Sequence, residues 1–287
     1  AGVPTLDGVP WRWTNLTLWW ADTVHDTLKG LAPPDAATAN RLWQDRTDAF
    51  GRIDAGNHTP NGYEWDVFLT LETVSARELH RVLPGPTLIH LSGRRTAPLF
   101  VSLLLHGNED TGLRAVQQVL SRHRGRELPR ALSLFVGNVQ AAAQGLRVLP
   151  AQPDFNRIWP GADSGGTPEH AMAAEVVARM RALGVFASID IHNNTGINPH
   201  YGCVNRLTPP FLHLATLFAR TVVFFHLPKG VLSEAFAPLC PSVTVECGQP
   251  GDAAREAHAA EFVDSVLRLD HFPDHLVPVH DVDVYRT

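Results

Sequence analysis

Three apolar runs in this sequence each end on a group able to bind a cation or move a proton. APLFVSLLL (97–105) leads into His106, with Glu109 three positions beyond. VFASIDI (185–191) leads into His192 and carries Asp190 two residues earlier. SVTV (242–245) leads into Glu246. Two imidazoles and one carboxylate form a common catalytic zinc set that leaves a coordination position for water. Zinc held this way lowers the pKa of its water to about 7 and polarises a carbonyl. A lone histidine at a strand end is more often structural, but His, Glu, His and Glu at three such ends point jointly to a metal site. Gly107 is expected to let the chain bend so that His106 and Glu109 reach one ion. Asp190 shares a strand face with His192 and suits an orienting partner for one of the imidazoles. Glu246 is then a spare carboxylate, able to take a proton from the water and pass it to a leaving nitrogen.

Residues from distant positions converge if the runs are neighbouring strands, because open α/β sheets bind ligands outside the carboxyl ends of their strands. The pattern supports this. VFLTLETV (within 66–74) alternates like a strand, TLIHLSG (87–93) reads as a second, and 97–105 has the unbroken apolar character of a buried central one. TGLRAVQQVLSRHR (111–124) places Leu113, Val116, Val119 and Leu120 on one helical face. ALSLFVGNV (131–139) is another strand, and a loop rich in Pro and Gly covers about 145–167. Thr167 and Pro168 suit the cap and first turn of the next helix. Strand 185–192, helix 209–221, short strand 222–225, strand 242–248 and helix 252–270 follow. Strands alternating with helices predict a largely parallel sheet covered on both faces. The tail LVPVHDVDVYRT alternates like one further strand.

The loop after 137 carries a second cluster. GNVQAAAQGLRVLPAQPDFNRIWPG offers Arg147, Asn156 and Arg157, able to bind carboxylates or a developing oxyanion through charge-assisted hydrogen bonds. Their setting among Pro150, Pro153, Phe155, Ile158, Trp159 and Pro160 predicts an ordered loop. Composition narrows the field further. A chain of 287 residues with 44% hydrophobic and 18% charged residues can build a sizeable core. A net charge of -5, with lysine only at positions 29 and 229, gives no reason to expect nucleic acid or an anionic membrane as partner. Three cysteines without a CxxC pair make neither a disulfide framework nor a structural zinc site, so a cytoplasmic setting is expected. No apolar run approaches the roughly 20 residues that span a bilayer. WRWTNLTLWW (11–20) holds four of the seven tryptophans and reads as part of an extension packed on the main domain.

The motifs HGNE (106–109), GNVQAAAQGLR leading to DFNRIWPG (154–161), DIHNNTG (190–196) and TVECG (244–248) resemble, in order, those of the succinylglutamate desuccinylase and aspartoacylase family, a branch of the zinc carboxypeptidase superfamily. The resemblance covers roughly residues 85–270, and DIHNNTG looks most like the aspartoacylase branch. It implies a three-layer α/β/α sandwich with a mixed, largely parallel central sheet. It also implies one zinc ion per chain, held by His106, Glu109 and His192, with Glu246 as general base and acid. Arg147 matches the family arginine that steadies the carbonyl oxygen, and Asn156 with Arg157 the pair that grips a substrate carboxylate. Leu104 stands where family members usually carry a small residue, often glycine.

The expectation is a zinc-dependent amide hydrolase acting on an N-acyl amino acid or similar small acyl amide. The alternatives are a zinc carboxypeptidase or peptidoglycan-peptide hydrolase, and a non-catalytic metal- or ligand-binding protein. The expected organisation is a Trp-rich extension over 1–62, a zinc hydrolase domain over 63–272 and a strand-like tail over 273–287. The partner is a small-molecule acyl-amino-acid substrate, with no nucleic acid and no membrane; homo-oligomerisation is left open.

Overall fold

The structure, a computed structural model, describes residues 71–287 apart from 72, 84, 125 and 163–165, together with the backbone of residues 5–6, 9–10 and 12–15. In chain order, β1 (Thr5–Leu6) and β2 (Val9–Pro10) pair with each other, and β3 (Arg12–Asn15) joins the main sheet. Then come β4 (Thr87–Leu91), β5 (Gly93–Leu103), α1 (Thr111–Arg122), β6 (Leu128–Val136), α2 (Val139–Gln144) and α3 (Pro168–Ala182). They are followed by β7 (Ala187–His192), β8 (Tyr201–Val204), α4 (Pro209–Thr216), β9 (Thr221–Phe224) and α5 (Leu232–Phe236). β10 (Ser242–Glu246), α6 (Ala253–Arg268) and β11 (Asp283–Arg286) close the chain.

Among the described residues the main sheet runs β11-β9-β8-β10-β7-β5-β6-β4-β3. Its centre, β6-β5-β7-β10, is parallel throughout. Antiparallel pairing occurs where β4 meets β6 and β8 meets β10, so the sheet is mixed but largely parallel. The tail supplies β11, parallel to β9, and Arg12–Asn15 lies parallel to β4.

Strand alternation divides the interior into two cores. Leu99, Val101 and Leu103 of β5, Ile189 and Ile191 of β7, and Val243 and Val245 of β10 face α1 and α6, where Val116, Val119, Leu120, Val263 and Val266 complete one layer. Phe100 faces the opposite way and stacks on Phe236 of α5 with ring centroids 4.4 Å apart. Trp159 sits edge-on to Phe135 and Phe236, and Met172, Val176 and Met180 of α3 complete that side. Helices on both faces of one sheet make the three-layer α/β/α sandwich.

One expected element differs, and three unexpected ones, α2, β8 and α5, are present. The strand over 66–74 lies partly outside the described residues, but Leu71 and Thr73 are helical. The carbonyls of Leu71 and Val74 accept hydrogen bonds from the Gln117 side chain on α1, at 2.7 Å each, rather than from a neighbouring strand. The segment 145–167 is a loop as expected, but α2 precedes it, ended by the left-handed Gly145. Strand β8 and helix α5 complete the sheet and its cover without a clear sequence signal. The Trp-rich stretch beyond Asn15 lies outside the described residues.

Candidate metal centre and active site

The parallel centre brings the three predicted strand ends together. His192 is the last residue of β7 and Glu246 the last of β10, and the two are direct partners in the register. β5 stops at Leu103, and the next residue, Leu104, takes φ +56. That left-handed residue, fully buried, starts the turn that presents His106 and Glu109. Glu109 N–H closes the turn on the His106 carbonyl at 3.1 Å. The bend therefore falls at Leu104. Gly107, expected to supply it, is outside the left-handed region and is needed for space, because a Cβ there would overlap the backbone of Ala141 and Ala142.

His106, Glu109 and His192 are all buried and offer one donor atom each within 4.8 Å of one another. Glu109 lies between the imidazoles, with Oε1 2.8 Å from His106 Nδ1 and Oε2 2.8 Å from His192 Nδ1. The opposite ring nitrogens are held by carboxylates: His106 Nε2 by Asp154 Oδ1 at 2.9 Å, and His192 Nε2 by Asp190 Oδ2 at 2.8 Å. A proton on each Nε2 leaves each Nδ1 lone pair pointing inward, the state in which an imidazole binds a metal. His106 Nδ1 is buried and makes no aligned hydrogen bond despite its closeness to Glu109. A buried unpartnered nitrogen, a second inward nitrogen and a shared carboxylate fit a divalent cation of the zinc class.

The electrostatics follow from this crowding. Burial raises the Glu109 pKa, but the charge on His192 and contacts with both imidazoles outweigh it and hold the carboxyl down at about 2. Burial likewise disfavours a charged Asp154, but the His106 contact, the Asn156 N–H and Arg147 bring its pKa below the ordinary value. Burial also disfavours imidazolium at His192, yet Asp190 and Glu109 carry its pKa well above the usual histidine value. Glu246 moves the other way from Glu109. Burial raises it, Glu109 and Asp190 add to the rise, and His192 and Asn194 Nδ2 oppose it. Two nearby carboxylates with opposite shifts are a recurring mark of sites that divide binding from proton transfer.

The predicted loop residues line the same cavity of about 720 Å³ as His106, Glu109, His192 and Glu246. Arg147 donates to Glu109 Oε1 at 3.0 Å and to Asp154 Oδ2 at 3.3 Å, with half its side chain exposed. Asn156 Oδ1 accepts from Leu232 N–H at 3.0 Å, which fixes the amide with its nitrogen 3.2 Å from His192 Nε2. Arg157 donates to the Asn156 carbonyl at 2.6 Å. Asp110 stands apart from the cluster, capping α1 by position and lying near Arg114. Asp154, within DFNR, joins the site from a loop position that carries no strand-end signal in the sequence. The same holds for Asn193, one residue past its strand end, whose backbone N–H donates to Glu109 Oε2 at 3.1 Å.

The family model for the succinylglutamate desuccinylase/aspartoacylase catalytic domain matches residues 98–269. A succinylglutamate desuccinylase from Chromobacterium violaceum superposes with a TM-score of 0.58 at 19% identity, covering 71% of each chain. A succinylglutamate desuccinylase/aspartoacylase from Rhodobacter sphaeroides gives 0.52 at 16% identity, over 69% of this chain and 64% of that one. The ectoine utilization protein EutE (DoeB) from Ruegeria pomeroyi gives 0.52 at 15% identity, with the same coverage, 69% and 64%. At these identities the likeness is one of fold. No curated protein matches the sequence.

Proposed function

The chain belongs to the succinylglutamate desuccinylase/aspartoacylase family, and from that premise we propose that it is a zinc-dependent deacylase of an N-acyl amino acid or similar small acyl amide. The observation that carries this reading is the placement of Glu246 beside His192, across the β7–β10 pair, on the cavity shared by His106 and Glu109. His106, Glu109 and His192 would hold one zinc ion, which when bound supplies a Lewis acid and an acidified water.

The chain's own residues would do the rest. Glu246, with its pKa raised, takes the proton of the attacking water and returns it to the departing nitrogen, so that a free amine leaves and the acyl group departs as an acid. Arg147 reaches the cavity with a guanidinium anchored on Glu109 and Asp154, and its remaining N–H groups suit the oxygen on which negative charge develops. Arg157, fixed through the Asn156 carbonyl, and the Asn156 amide provide donors for a substrate carboxylate. Asp154 and Asp190 keep both imidazoles in one tautomer and orientation.

The test is hydrolysis by zinc-loaded protein of a panel of N-acyl amino acids beside short peptides. Release of free acid from the former supports the deacylase, whereas peptide cleavage alone would make it a carboxypeptidase-type enzyme. Glu246→Gln is expected to keep its zinc and lose about 10²–10⁴ of the rate. Undiminished hydrolysis by the zinc-loaded variant would remove Glu246 from proton transfer.

A further inference from the structure

Between the metal-ligand cluster and Glu246 lies a buried amide that the proposed mechanism does not use. Asn193, directly after His192, is buried and hydrogen-bonded in three directions. Its Oδ1 accepts from Thr111 N–H at 3.2 Å, and its Nδ2 donates to Thr111 Oγ1 at 2.9 Å and to the Gly248 carbonyl at 2.7 Å. Its backbone N–H meets Glu109 Oε2. One residue thus joins the first turn of α1, the end of β7 and the chain just beyond Glu246.

The pattern demands an asparagine. Thr111 N–H needs an acceptor while Thr111 Oγ1 and Gly248 O sit beside the same group, so one planar amide with an acceptor and two donors serves all three. An ionised aspartate would lack both donors, and a glutamine would be one methylene too long. The Gly248 end is held from elsewhere as well. Asn194 N–H donates to the Gly248 carbonyl at 3.1 Å, Cys247 N–H to the His192 carbonyl at 2.9 Å, and Arg255 to the Cys247 carbonyl at 3.1 Å. Arg255 occupies the space a Gly248 Cβ would fill. The chain beyond Glu246 is therefore clamped between Asn193 and Arg255.

We propose that Asn193 is a positioning residue that fixes Glu109 as a metal ligand and sets the distance from the metal centre to Glu246. The second half of that role rests on the deacylase reading; the first does not. Two readouts separate them: zinc affinity by chelator competition, and kcat and KM at saturating zinc on the best N-acyl amino acid. Asn193→Ala is expected to weaken zinc about 10- to 100-fold and to lower kcat by a similar factor, with KM within about threefold. Unchanged zinc affinity overturns the proposal whether or not hydrolysis is found. A raised KM with unchanged kcat would make Asn193 a substrate contact instead. Weakened zinc in the variant, with wild-type protein inactive on the whole panel, would sustain the positioning of Glu109 and sink the deacylase reading. If Asn193→Ala does not fold, Thr111→Val carries the test. It deletes one acceptor at constant shape and is expected to weaken zinc about threefold; no change again overturns the proposal.

Discussion

Asp154 holds His106 from behind at 2.9 Å, takes the Asn156 N–H on the same oxygen and receives Arg147 on the other. Asp154→Asn removes the charge that favours the inward Nδ1 lone pair, and is expected to weaken zinc about 10- to 100-fold in a chelator titration. Retention of wild-type affinity would mean that His106 orients itself. Leu104 is a different case. Its left-handed backbone costs roughly 1–2 kcal/mol for a non-glycine residue, while truncating a buried leucine costs about 2–5 kcal/mol. Burial wins, so Leu104→Gly is expected to destabilise by about 1–3 kcal/mol in denaturant unfolding despite the relieved strain. His106, His192 and Glu246 were legible because each ends an apolar run, and Glu109 because it lies three positions beyond the first of them. Asp154, Asn193 and the role of Leu104 were not, because a loop carboxylate, a buried amide and a positive φ leave no periodic trace.

At the scale of elements, long periodic segments were readable, and short ones only where an apolar run or an alternation marked them, as in β9 and β11. β5, β7 and α1 carry their burial pattern in the sequence, whereas β8, with YGCV, and α2, with VQAAAQ, are too short to show a period. Within the stretch 66–74 expected as a strand, the described Leu71 and Thr73 are helical instead, and the carbonyls of Leu71 and Val74 accept bonds from a side chain of α1. Helix pairing also gives a pH-dependent contact. His123 at the end of α1 lies 2.6 Å from Asp264 of α6, and Arg268 binds the same carboxylate at 3.0 Å. Burial raises the Asp264 pKa, but these partners outweigh it and leave it lowered. A carboxylate depressed in the folded state adds stability above its unfolded value, near 3.9, and loses it as pH falls through the folded one. The Tm of the wild type should therefore drop on acidification below about pH 4 more steeply than that of Asp264→Asn. Parallel curves would show that the pair contributes nothing measurable.

For the whole molecule, the parallel centre is what turns three separated segments into one site, and a bound ion would in turn stabilise the sheet that assembles it. Zinc at about a hundred times its Kd is expected to raise the Tm of metal-stripped protein by roughly 5–10 °C, a gain that His106→Ala should abolish. The fold class was legible because strand and helix patterns alternate. The strand order across β8, β9 and β11 was not, since pairing depends on packing partners far away in the chain. That distance bears on how the molecule forms. His106 and Glu109 are neighbours in sequence, but His192 arrives only when Leu99 pairs with Ala187, and Glu246 only when Val243 pairs with Ile189. Such long loops close slowly, so the centre of this sheet should form late in refolding. Helical signal is expected to recover before zinc becomes resistant to a competing chelator. Resistance in the earliest phase would instead mean that the local His106–Glu109 turn captures the ion and nucleates the sheet around it.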